Sequence, residues 1–239
     1  MTIRFTGNIP TRLLPAIPGI LIFFLMMMIV MLTGTSCTKT EKSFYPGGKP
    51  QSVIPKDRKG RIDGTAKWWY ENGMLQMTAA YEEGKLEGPL VRFWENGKKQ
   101  LESHYVDNKL NGPSFEMNAM GVVTVEKHYR NDTLEGLASQ FNDQGRKIVE
   151  GNYVNGYFDG RWLYYNNAGD VIGEGVFDRG TGTKSSWDDS GHLIGKTEYR
   201  NNLRHGNEIS YDPDGNVIRV RIFSDGELVH DSIVASPGQ

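Results

Sequence analysis

Residues 64–81 read Gly-Thr-Ala-Lys-Trp-Trp-Tyr-Glu-Asn-Gly-Met-Leu-Gln-Met-Thr-Ala-Ala-Tyr, and the chain then repeats their frame. A glycine opens the unit, an aromatic follows five residues later (Trp69), a second glycine nine residues in (Gly73) and a second aromatic seventeen residues in (Tyr81). The frame returns as Gly88, Phe93, Gly97, Tyr105; as Gly112, Met117, Gly121, Tyr129; as Gly136, Phe141, Gly145, Tyr153; and as Gly160, Tyr165, Gly169, Phe177. The sixth copy, Gly182, Trp187, Gly191, Tyr199, arrives two residues early, and the seventh is Gly206, Tyr211, Gly215, Phe223. Self-similarity at a fixed period of this length is the signature of a repeat architecture.

Each unit reads as a β-hairpin. In the second copy the segment Pro89–Trp94 alternates Val91 and Phe93 with Arg92, the period-2 pattern of a half-buried strand. Asn72-Gly73 and Asn96-Gly97 predict tight type I′ turns, whose two positive φ angles suit Asn-Gly. A second strand ends near the second aromatic, and a polar segment such as Glu82-Glu83-Gly84-Lys85 returns the chain. The expectation is an all-β fold: a repetitive antiparallel β-meander of about seven hairpins, roughly fourteen strands, forming an elongated, twisted single sheet. Closure into a membrane barrel is disfavoured, because such a barrel needs an outward apolar band. The shortened link Asp178–Gly182 reads as a kink or weak point between five hairpins and two.

The array fills residues 63–229, with a C-terminal tail at 230–239 that loses the pattern. Residues 38–62 carry Pro46, Gly47, Gly48, Pro50 and Pro55 among Lys, Ser and Thr, so 37–62 reads as a flexible tether. Ahead of it, Arg4 and Arg12 precede an unbroken apolar run from Ile20 to Leu32, then Thr33-Gly34-Thr35-Ser36-Cys37. This run of 13 is short for a membrane span, which needs roughly 20 residues, and fits a secretory signal over residues 1–36. It resembles a bacterial lipoprotein signal, which implies lipidation of Cys37. Gly34 stands where that family prefers Leu. The alternative is an uncleaved anchor over Leu13–Leu32. Either way the repeats sit outside the cytoplasm, in the cell envelope and tethered to a membrane.

The repeat frame of glycine, aromatic, glycine and aromatic, best seen in Glu87-Gly-Pro-Leu-Val-Arg-Phe-Trp-Glu-Asn-Gly-Lys98 and Asp159-Gly-Arg-Trp-Leu-Tyr-Tyr165, resembles the MORN repeat variant. Similar chains are grouped as YwqK-like antitoxin-family proteins. The resemblance implies toxin neutralisation, with which an export signal conflicts.

Composition bounds the chemistry. The net charge of -2 leaves no basic face for nucleic acid. A single cysteine excludes an intramolecular disulfide and a cysteine-based metal cluster. Glu102, Glu126, Glu150 and Glu174 recur five residues after the second glycines, with His104 and His128 two residues further on. By parity they belong on the face away from the repeated aromatics. Equivalent positions lie two strands apart, roughly 9–10 Å, too far to share a metal, so a solvated polar face is expected, with no metal and no cofactor. No nucleophile elbow, phosphate loop or zinc spacing is present, and the protein is expected not to be an enzyme.

The aromatics admit two readings, a thin core or an exposed contact row. Trp68, Trp94, Trp162 and Tyr164 stand out as surface contacts, together with Tyr70, because they depart from the repeated positions. The leading functional expectation is a non-catalytic interaction scaffold with a protein partner in the envelope, held to the membrane through lipid on Cys37. A carbohydrate or cell-wall binding module and an antitoxin-like protein are the alternatives.

Overall fold

The computed structural model describes residues 39–234, and all regular structure within them is β. The strands are β1 (Lys39–Phe44), β2 (Pro50–Lys56), β3 (Gly64–Trp69), β4 (Leu75–Glu82), β5 (Lys85–Phe93), β6 (Lys99–Val106), β7 (Lys109–Met117), β8 (Val123–Arg130), β9 (Thr133–Leu134), β10 (Gly136–Phe141), β11 (Lys147–Val154), β12 (Tyr157–Tyr165), β13 (Val171–Asp178), β14 (Thr181–Trp187), β15 (Leu193–Arg200), β16 (Leu203–Tyr211), β17 (Val217–Ser224) and β18 (Glu227–Ile233). Each pairs antiparallel with its neighbours in sequence, and β9 and β10 are one interrupted strand that pairs with β8. The result is one open meander, as the repeats predict.

It is longer than expected. Residues 39–56, read above as part of a flexible tether, form the hairpin β1–β2. Phe44 and Gly48 keep the spacing of Trp69 and Gly73, and the loop bonds Tyr45 N to Lys49 O and Gly48 N to Tyr45 O repeat those of Tyr70 N to Met74 O and Gly73 N to Tyr70 O. Pro46 lies in the loop, Pro50 opens β2 and Pro55 stands near its end, positions an outer hairpin tolerates. At the other end, residues 230–233, read above as part of the tail, continue β18.

The turn types are the reverse of the sequence expectation. At the Asn-Gly turns only the glycine has positive φ, as at Gly73 (+93°), and the register slips between Trp68 and Trp69. That is a three-residue loop closed by a glycine bulge. The type I′ turns are the polar returns, where both central residues are positive: Glu83 and Gly84, Asp107 and Asn108, Asn201 and Asn202.

The period of 24 has a structural cause. Tyr81 faces Leu86 while Ala79 faces Leu90, so two steps on β4 match four on β5. The excess is a two-residue bulge at Gly88, whose φ is +97°. In the sixth copy Phe177 faces Gly182, Val176 faces Thr183 and Gly175 faces Lys184, with no slip. The two missing residues are the bulge, and the ladder runs on unbroken where a kink or weak point was expected.

Opposed pairs share a face. Tyr81, Tyr105, Tyr129, Tyr153, Phe177, Tyr199 and Phe223 lie on one, each facing a residue of the next strand: Leu86, Leu110, Leu134, Phe158, Gly182, Arg204 and Leu228. We call this the tyrosine face. The first aromatics lie on the other, the glutamate face; there the Tyr165 hydroxyl donates to Glu150, which faces Leu163. The two aromatics of a unit are therefore on opposite faces, and the glutamates share theirs with the first.

A buried aromatic cluster lies on the tyrosine face, apart from Ala66, Ala79 and Phe223, which are buried outside it. Ala138, Trp162 and Phe177 are buried, with Val149, Tyr153, Phe158, Tyr164 and Tyr199 packed around them. Ring centroids lie 5.0 Å apart for Tyr153–Trp162, 4.6 Å for Phe158–Trp162, 5.4 Å for Phe158–Phe177 and 5.6 Å for Phe177–Tyr199, three edge-to-face pairs and one tilted one. The Trp162 indole lies flat over Gly151, where a Cβ would stand 2.0 Å from the ring. Trp162→Ala is expected to cost about 3–5 kcal/mol and Gly151→Ala about 1–3 kcal/mol through overpacking. Urea unfolding midpoints check both, with Trp68→Ala as the half-exposed comparison expected to shift far less.

Candidate functional site

The residues marked out by the sequence fall into different environments. Trp162 is 5% exposed, so it is core and not a surface contact. Its even offset suggested the outer face, but that face carries the second aromatics, so its parity places it among them. Its indole N–H donates to Asn152 O at 3.1 Å. Tyr164 is half-buried against the same cluster, over Gly173. Lys184 Nζ stands 3.8 Å from the Tyr164 ring centroid, a cation–π contact. Burial lowers the Lys184 pKa, partly offset by Glu208.

Trp94 lies just past β5, and its ring N–H donates to Met117 O at 3.0 Å. The hydroxyls of Tyr45 and Tyr70 do the same, to Trp69 O and Phe93 O, each at 2.7 Å. These three aromatics brace one hairpin to the next, so Tyr70 and Trp94 serve the array. From the third copy onward the position holds Asn118, Asn142, Asn166, Asp188 and Asp212, whose side chains accept backbone N–H groups of their own turns, for example Ala168 N and Asp170 N on Asn166. Cys37 lies outside the described residues.

Trp68 is the marked residue left open. It faces Ser52 and Met77 across the ladder. With Gln76, Met77, Leu90, Arg92, Leu101 and Tyr105 it lines an open depression of about 370 Å³ on the tyrosine face. The sequence signal for its floor was the residue two after each first glycine: Ala66, Leu90, Ser114, Ala138, Trp162, Lys184 and Glu208.

The glutamate face behaves differently. Glu102 pairs with Lys99 at 2.6 Å, Glu150 with Lys147 at 2.5 Å, and Glu174 with Arg161 at 2.7 Å. Such exposed pairs contribute ~0–1 kcal/mol each. His104 is exposed beside Pro89, and His128 Nδ1 donates to Leu137 O at 2.9 Å. Among the described residues no three His, Cys, Asp or Glu side chains gather as a metal would need. A second open depression, of about 500 Å³, is lined by Arg146, Lys147, Glu150, Tyr165, Asn167 and Gly169. Its groups are engaged with one another: Arg146 donates to Asn167 O at 2.7 Å, and Glu150 accepts from Lys147 and Tyr165. The Lys147 ammonium, then the Tyr165 hydroxyl, hold the Glu150 carboxyl below its usual range.

At the far end of the tyrosine face Glu208 is enclosed by Arg221 and Arg204, the latter at 3.4 Å, and Arg219 binds Asp231 at 2.5 Å. This charged network closes the face where the aromatic cluster stops.

The family model described as the MORN repeat variant matches residues 62–83, 86–107 and 204–225. These are the stretches around the first, second and seventh copies, and the middle copies, where Met117 replaces an aromatic and a bulge is lost, lie outside the match. No curated protein matches the chain.

Two tyrosines set an alkaline limit. Tyr165 is pushed up to about 12 by its hydrogen bond to Glu150, and Tyr164 up to about 12 by burial. Burial raises Tyr105, Tyr129, Tyr153 and Tyr199 as well. A folded pKa above the unfolded value favours the neutral form, so this stability is complete below about pH 10 and is lost on rising towards 12. The slope is up to about 1.4 kcal/mol per pH unit for each group. Urea midpoints at stepped pH are expected to fall above pH 10, and to fall less steeply in the Tyr164→Phe/Tyr165→Phe double variant.

Proposed function

We propose that the chain is a non-catalytic interaction scaffold of the bacterial cell envelope, exported by its N-terminal signal, held to a membrane through lipid on Cys37, and binding a protein partner on the tyrosine face. Repeats of the matched kind are generally protein- or membrane-interaction modules and generally not enzymes. The observation that carries the proposal is the sheet itself. It is one layer of paired strands, and its tyrosine face keeps a Trp68-lined depression, part apolar and part polar, open to solvent. An open recess that joins aromatic and aliphatic side chains to a few polar groups is the usual make-up of a binding surface.

A second reading, a carbohydrate or cell-wall module, is favoured by the Tyr165 depression, where an aromatic ring sits among Arg, Lys, Glu and Asn side chains. An antitoxin role, implied by the family resemblance, is the same scaffold with a toxin as partner.

The test is co-purification of the full-length tagged protein after cross-linking in intact cells and detergent solubilisation. A recurrent protein partner is expected, lost when Trp68 and Leu90 are both replaced by Asp. Retention on peptidoglycan with no protein partner would establish the second reading in its place. The mature N-terminus is expected at Cys37 with a fatty-acid mass shift, read by intact-mass spectrometry. An unprocessed N-terminus in the membrane fraction would replace lipid by an uncleaved anchor.

A further inference from the structure

The depression at Trp68 occupies the position in its unit that Trp162 fills in the fifth copy. Adding 72 residues carries Met77 to Val149, Leu90 to Trp162, Arg92 to Tyr164, Leu101 to Gly173 and Tyr105 to Phe177. In the fifth copy the indole occupies the site, packed against Tyr153 and Phe158. In the second copy Leu90 stands at that position, and about 370 Å³ is open, within the range of roughly 300–1,000 Å³ typical of ligand sites. The fifth copy shows an aromatic side chain in this frame, lying over Gly151; in the second copy Ala79 and Ser103 stand where Gly151 and Gly175 do, so an incoming ring rests on Leu90 and not against the backbone.

The charge is equally specific. Arg92 replaces Tyr164 as the wall and is the one charged residue of the lining. It is exposed and enters none of the ion pairs found among the described residues. Arg92 and Glu116 both face Leu101, from its two sides. An incoming carboxylate is attracted by Arg92 at the wall and repelled by Glu116 beyond Leu101, which gives the site a direction. The larger depression at Tyr165 has no such surplus, since its cations already serve Asn167 and Glu150.

We propose that this depression is a recognition site for an extended acidic peptide segment of the partner, which seats an aromatic side chain over Leu90 between Trp68 and Tyr105 and places a neighbouring carboxylate on Arg92. A guanidinium–carboxylate pair is charge-assisted, and its fork geometry gives it direction. The proposal rests on the protein-binding reading and gives it a position and a chemistry.

The probe is a synthetic peptide, acetyl-Ala-(benzoylphenylalanine)-Asp-Ala-amide, photo-cross-linked to the full-length protein in detergent, with a counterpart carrying Lys in place of Asp. Labelling is expected within β4–β6, at least fivefold stronger for the Asp peptide. It should fall at least fivefold in Arg92→Ala and recover in part in Arg92→Lys. Unchanged urea midpoints will show that both variants are folded. Labelling spread over the sheet, centred on Arg146–Gly169, absent, or equal for the two peptides would overturn the site. Failure of this labelling with a natural partner still captured would remove the site and leave the scaffold; labelling without a captured partner would do the reverse.

Discussion

A one-layer sheet has no opposite layer to bury against, and this constraint shapes every unit. Each strand must draw its cohesion from the two strands beside it, as in other arrays stabilised by nearest neighbours. The ladder does part of this, and the two rows of turns do the rest. At the return end, Asn108 N donates to Leu86 O and Asp132 N to Leu110 O, while Leu86 N and Leu110 N donate back to the same side chains at 2.7 and 2.8 Å. At the tight-turn end, Tyr45, Tyr70 and Trp94 bond forward to the next hairpin. Both rows tie residues 22–24 positions apart, so the sequence period and the lateral bonding are one fact.

The short sixth copy shows how tightly the parts are coupled. Losing the bulge puts Gly180 at the return turn, where no side chain can cap the preceding strand. Asn202 reaches past it, accepting from Phe158 N at 2.8 Å and donating to Gly156 O at 2.8 Å, while Asn202 N donates to Gly180 O. A Cβ at Gly180 would stand 2.7 Å from the Asn202 side-chain oxygen. The glycine and the distant asparagine are thus two halves of one repair. It spans two units and keeps the turn row continuous where the period fails.

The fold was legible because turn chemistry and strand parity are local. Repeated glycines and alternating apolar residues suffice to specify hairpins and their order. Which turn type sits at which end was less legible, because Asn-Gly suits both a type I′ turn and a glycine bulge, and the backbone alone distinguishes them. The assignment of faces failed for a similar reason. Bulges change parity, so offsets counted from Gly64 do not carry through to Tyr81. The first hairpin was hidden by composition: Tyr45-Pro-Gly-Gly reads as linker, although Phe44 and Gly48 keep the spacing of Trp69 and Gly73. Of the marked aromatics, Trp68 lies open, whereas Trp94 and Trp162 are committed to hydrogen bonds and packing that single-residue reasoning does not reveal.

What separates core from surface on the tyrosine face is the residue two places after the first glycine. In the fifth copy it is Trp162, and the neighbouring strands offer Gly151 and Gly175, so the indole lies over Gly151 with Phe158 packed on it, while the Phe177 ring covers Gly175. In the sixth and seventh copies it is Lys184 and Glu208, and the face closes by charge. In the second it is Leu90, flanked by Ala79 and Ser103, too little volume to fill the frame set by Trp68 and Tyr105. The same backbone therefore buries its own aromatic in one unit and leaves the space vacant in another. A change of side chain at a single repeated position, with no change of fold, decides which units hold the array together and which remain open to a partner.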